Sequence, residues 1–170
     1  MNGWMNTQWP ISDEPDEPTS HALYLRDGHE GVVDGMEIGD CVLLYEYMTK
    51  PGRTRHSGQK SQRVQQRSDG RQGIIAIAQV ARLREERRDD LDHDDCDDGR
   101  KMWWRWVVPL DRVDKEGDAP LEVVLRVLKY NPGGYLLGFG DKHSGVKRLD
   151  ESVWMELKRE FKSRPRRRRS

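Results

Sequence analysis

The sequence predicts an α+β fold: a small, mostly antiparallel, partly open β-barrel flanked by short helices. Three observations carry this. Strand-like runs follow one another without long helical crossovers, which implies antiparallel pairing. There are about five or six of them, and curling is the natural way for so few strands to hide their edges. Two segments with helical apolar spacing stand near the end, at 119–130 and 149–162. Residues 1–162 read as one domain, and residues 163–170 as a basic tail expected to be disordered.

Residues 3–9 form the first strand, and "ISDEPDEPTS" then breaks structure with prolines among acids. "TSHALYLR" predicts a helical turn. Asp27 is placed to cap a short helix that follows, weakened by glycines. "IGDCVLLYEYM" is a strand introduced by a Gly-Asp turn. Residues 49–72 have almost no apolar content and read as a flexible basic loop. "GIIAIAQVARLRE" is the next strand, residues 85–100 a second polar loop, and "KMWWRWVVPLDRV" a strand dense in aromatics. "APLEVVLRVLKY" predicts a helix with Leu121, Val124, Leu125 and Leu128 on one side. "NPGGYLLGFGDKHSGV" holds glycine turns around a short strand. The last element is a helix that Asp150 can cap, with an apolar face of Val153, Trp154, Leu157 and Phe161.

The 170 residues hold 30 basic and 30 acidic side chains, so the net charge is zero. The signs are segregated, however. Residues 10–46 and 85–98 are acidic, while Lys50 to Arg71 and "SRPRRRRS" are basic. A neutral average thus hides local fields that attract a polyanion. Two cysteines, Cys41 and Cys96, suggest no disulfide framework, so a reducing, cytoplasmic setting is expected. The first ten residues lack the basic and apolar regions of a signal peptide. No apolar run approaches the roughly 20 residues of a membrane helix, and no membrane partner is expected.

Three segments together resemble the EVE domain of the PUA-like superfamily, which is related to YTH and ASCH domains. They are "GMEIGDCVLLYEY", "GIIAIAQVARL", and "APLEVVLRVLKY" followed by "RLDESVWMELKREF". The opening tryptophan is similar to that family's aromatic first strand. The resemblance covers most of residues 3–162, with the two polar loops as long insertions. It implies a non-enzymatic reader that flips a modified base of DNA or RNA into an aromatic pocket, DNA slightly favoured. It also implies a nuclease or restriction subunit as the partner in modification-dependent restriction. No cofactor, no metal and no catalytic residue are expected.

The candidate base pocket comprises Trp4, Asn6, Thr7, Trp9, Arg26, Asp27, His29, Tyr45 and Trp104. Aromatic faces replace lost stacking at roughly 1–3 kcal/mol per base. Asn6 and Thr7, between two tryptophans, offer polar groups to a base edge. Arg26, Asp27 and His29 occupy the place where the resemblance puts pocket residues. Core packing remains open for Trp4 and Trp9, because an extended strand turns them to opposite faces. Trp104 and Trp106 share one face of their strand, and a core role competes with a wall for the base. Tyr45 shares a face with Tyr47, and barrel core competes with ligand contact there. His29 beside Glu30 and Asp27 reads as a turn or base-edge contact, since no nucleophile–base–orienter spacing accompanies it. "DDLDHDDCDDG" reads as a solvated acidic loop, lacking the ordered oxygens of a calcium loop. Arg53, Arg55, Lys60, Arg63, Arg166 and Arg167 are expected to contact phosphates. Two other readings stand beside this one: an RNA-processing PUA-like or ASCH-type module, and a protein-interaction domain.

Overall fold

The computed structural model describes residues 1–8, 22–25, 28–47, 54–57, 60–63, 71–86, 93–95, 101–103, 105–134, 136, 139 and 145–166. At residues 8, 24, 54–57, 60–63, 93–95 and 101–103 it describes the backbone alone. The elements run β1 (Gly3–Gln8), β2 (Ala22–Leu25), α1 (Glu30–Val33), β3 (Cys41–Glu46), β4 (Thr54–Ser57), β5 (Lys60–Arg63), β6 (Gly73–Val80), β7 (Glu85–Glu86), β8 (His93–Asp95), β9 (Lys101–Trp103), β10 (Trp106–Asp114), β11 (Ala119–Pro120), α2 (Leu121–Val127), β12 (Val146–Leu149) and α3 (Glu151–Lys162).

The α+β architecture and the curled, partly open sheet match expectation, but the sheet is mixed. Its strand order is β12-β1-β3-β6-β10-β2, with β11 beside β6 and β7 beside β10. At its centre β1 and β3 run parallel, in register from Gly3↔Cys41 to Gln8↔Glu46. The reason lies in the connection. Residues 9–40 separate the two strands and carry β2 and α1, which is long enough for a crossover that a hairpin would not allow.

Local patterns explain the other departures. Residues 22–25 form a strand, not a helical turn. Leu23 and Leu25 alternate into the core, a period of two. The expected basic loop holds a hairpin of β4 and β5, and the expected acidic loop holds β7 and β8. The aromatic strand is two strands, β9 and β10. Asp150 precedes α3 but makes no side-chain cap; its carbonyl accepts from the amides of Val153 and Trp154. Beyond α3 the backbone of Pro165 bridges to Gly117, so pairing continues past residue 162.

The central sheet is covered on both faces. On one, Met5, Leu43, Tyr45 and Ile74 pack under α2 and α3, with Val124, Leu125, Trp154, Leu157 and Phe161. On the other, the curl of β10 and β2, together with α1, encloses Trp4, Val42, Leu44, Ala76, Trp106 and Val108. Each aliphatic side chain fully buried this way contributes about 1.5–3 kcal/mol. The bend in β10 sits at a register shift between Asp111 and Asp114, where Arg112 takes a left-handed φ of 47°.

Candidate nucleic-acid interface

Strand alternation separates the residues expected to share a pocket. Trp4 and Asn6 face the curled interior, whereas Met5, Thr7 and Tyr45 face the helices. Trp4 is core. Its Nε1–H donates to Asp40 at 2.9 Å, and its ring lies against Gly35. Asn6 is buried on the same wall. The Thr7 hydroxyl donates to the Gly145 carbonyl at 3.2 Å, on the opposite face. Tyr45 is buried there too, its ring edge-on to Tyr47 at 5.5 Å. Tyr47 donates to the Leu136 carbonyl at 2.9 Å. Burial raises the Tyr47 pKa, and a hydrogen bond with Thr7 opposes that.

Trp9, Arg26, Asp27, Trp104, Arg53 and Arg167 lie outside the described residues. Arg55, Lys60 and Arg63 lie in the β4–β5 hairpin, and Arg166 is exposed.

A different indole emerges as the centre of a site. Trp106 opens β10 and is paired on both sides, to Leu25 of β2 and to Glu86 of β7. Its alternation with Val108 and Leu110 aims it inward, and it is 8% exposed. Its Nε1–H is buried with no hydrogen-bond partner among the described residues. A buried donor left unsatisfied costs about 1–3 kcal/mol. Two guanidiniums attend the ring: Arg84 with Cζ 4.3 Å from the centroid and Arg105 at 5.6 Å.

The surrounding elements converge on that ring. Arg84 pairs with Asp34 at 2.7 Å and donates to the Glu30 carbonyl at 3.5 Å, which ties α1 to Trp106. Arg105 pairs with Glu86. His29 stands next to Glu30, and its Nδ1 is a second buried nitrogen without a partner among the described residues. The chain between Leu25, which pairs with Trp106, and Gly28 carries Arg26 and Asp27. Trp104 is two residues before Trp106.

This corner therefore collects His29 and the chain positions flanking three other predicted residues, but not Trp4, Thr7 or Tyr45. It combines a flat ring, two attendant guanidiniums and an indole N–H without a partner among the described residues. Those are the parts needed to hold a planar, acceptor-bearing ligand. Among the described residues no three His, Cys, Asp or Glu side chains cluster to hold a metal, and no helix is long and apolar enough to cross a membrane.

The sequence reading did not single out Arg84, and it named Trp104 rather than Trp106, which the structure describes. The available signal was the strand period: Trp106, Val108 and Leu110 alternate inward with Trp106 at the end of the row. The sequence matches no family model and no curated protein.

Proposed function

We propose that this protein binds nucleic acid and holds one modified base, drawn out of its strand, against Trp106, with DNA favoured over RNA. The observation that carries the reading is the buried Trp106 Nε1–H, without a partner among the described residues, beside a guanidinium over the same ring. An expelled base presents ring nitrogens and carbonyls that accept from that donor. The indole N–H lies in the plane of its ring, so the base meets Trp106 edge-on while the Arg84 guanidinium keeps the ring face, a contact worth about 0.5–2 kcal/mol. Extrusion costs a few kcal/mol, least for a damaged or single-stranded base. A methyl group on the base adds about 0.8 kcal/mol when buried. The resemblance to EVE domains points the same way, as does the basic segment from Lys50 to Arg71.

Trp106→Phe is the direct test, because it keeps a ring and removes only the indole N–H. Binding is measured by fluorescence anisotropy on oligonucleotides carrying methylcytosine, hydroxymethylcytosine or methyladenine, beside the unmodified sequence. We expect one modified oligonucleotide to bind preferentially, and Trp106→Phe to weaken it about tenfold, the value of one hydrogen bond. Equal binding by both proteins, or no preference among the oligonucleotides, contradicts the proposal.

A protein-interaction role is favoured by one observation. Ile38 and Leu83, 64% and 62% exposed, are large apolar side chains on segments joined by the Gly39–Val80 hydrogen bond. On that reading the oligonucleotide panel gives no binding at all.

A further inference from the structure

We infer that the β4–β5 hairpin is an arm that enters the major groove of B-form duplex DNA; this rests on the nucleic-acid reading above.

The strands pair from Thr54↔Arg63 to Ser57↔Lys60, with two residues, Gly58 and Gln59, between them. They form a two-stranded sheet of their own, separate from the main one. No residue of 54–63 is apolar. A ribbon with nothing to bury gains nothing by packing on the core, so its stability and purpose lie with a polar partner. Directly paired residues share a face. Arg55, Ser57, Lys60 and Gln62 therefore lie on one face, and Thr54, His56, Ser61 and Arg63 on the other. These are the residue types that hydrogen-bond base edges and phosphates. From Thr49 to Gln72 the chain carries seven Lys or Arg and one acid, Asp69.

Dimensions and anchoring fit the same partner. Four residues of strand span about 13 Å, and the B-form major groove is about 12 Å wide and 8.5 Å deep, enough to admit a two-stranded ribbon. The deep, narrow major groove of A-form RNA does not admit one. The arm leaves the core after Glu46 and returns at Arg71, and those two residues are joined. The Arg71 amide donates to Glu46 Oε1 at 2.9 Å, and Arg71 Nε lies 3.9 Å from the same oxygen, both side chains almost wholly buried. The root of the arm is thus held at the sheet.

The test uses the full chain and two variants. One replaces residues 54–63 by a short Gly-Ser linker; the other carries Arg55→Gln with Lys60→Gln. Anisotropy is followed against salt concentration on a methylated DNA duplex, its single strand, and an RNA duplex of the same sequence. We expect the linker variant to lose at least tenfold on duplex DNA and less than twofold on the single strand. In the double variant the log–log salt slope on duplex DNA should become shallower by about two, one per phosphate contact. Unchanged duplex binding in both variants overturns the arm alone. So does an equal loss on all three nucleic acids, which marks attraction without a groove. Failure of the unaltered protein to bind any of them overturns the nucleic-acid reading and the arm with it.

Discussion

Two indoles in one apolar interior have opposite fates, and one carboxylate decides the difference. Asp40 is 1% exposed and collects four donors: the Asn2 amide at 2.6 Å, Trp4 Nε1, the Glu37 amide at 3.1 Å and the Asn2 side chain at 3.3 Å. It ties the start of β1 to the turn before β3, where Gly39 takes a φ of +89° that favours glycine. Burial pushes the Asp40 pKa up, but these hydrogen bonds outweigh it and hold the carboxyl below its ordinary value. The sign follows directly. A carboxylate with a lowered folded pKa contributes stability that is complete above its unfolded pKa and fades as pH falls towards the folded one. Asp40→Ala leaves three main donors without an acceptor, and we expect a loss of about 3 kcal/mol at neutral pH. Thermal melts should show that the gap between the two proteins narrows below the ordinary aspartate pKa. A gap independent of pH in acid would assign the loss to packing instead. Among the described residues Trp106 Nε1–H has no such partner, and the proposal gives it to a ligand.

Close approach between elements has equally specific causes. α3 lies on β1 because Gly3 has no side chain: a Cβ there would collide with Cγ, Cδ1 and Cβ of Trp154. Gly3→Ala forces that ring aside, and we expect it to cost about 1–3 kcal/mol, read as a lower midpoint in urea. An unchanged midpoint would show that α3 is free to shift. These elements were the most legible part of the sequence. Both helical faces lie where their spacing places them, Val124 and Leu125 on α2, and Trp154, Leu157 and Phe161 on α3. β3 and β6 carry the uninterrupted apolar run of strands buried on both faces. Short elements were less legible. Leu23 and Leu25 supply only two apolar alternations, too few to outweigh a helical reading of "TSHALYLR". The β4–β5 ribbon has no apolar period at all, so only its backbone pairing reveals it.

At the scale of the molecule, the sheet itself separates the residues proposed for one pocket. A sequence shows Asn6 and Thr7 as neighbours, but a strand sends them to opposite faces. It shows Arg84 and Trp106 as 22 residues apart, and the pairing of β7 with β10 brings them into contact. The contact of Arg84 with α1 was not legible, because nothing local encodes its reach from the approach to β7 to the Glu30 carbonyl and Asp34. The parallel pairing of β1 and β3 escaped for a similar reason: it depends on the long connection between the two strands, not on either strand. Acid contributes at this scale as well. The Glu116 amide, and then Lys162, lower the pKa of Asp114, and Arg164 lowers that of Glu160, so these contacts weaken in acid in the same direction as those of Asp40.

The central claim is that Trp106 Nε1–H is reserved for a base edge. The most direct measurement is a titration of the ¹⁵N-labelled protein with the preferred modified oligonucleotide, following the indole N–H resonances assigned with Trp106→Phe and Trp4→Phe. The Trp106 resonance should move downfield with the modified base and stay still with the unmodified one, while Trp4, already bonded to Asp40, stays still in both. A stationary Trp106 resonance at saturating oligonucleotide, or one that moves equally for both oligonucleotides, would contradict it.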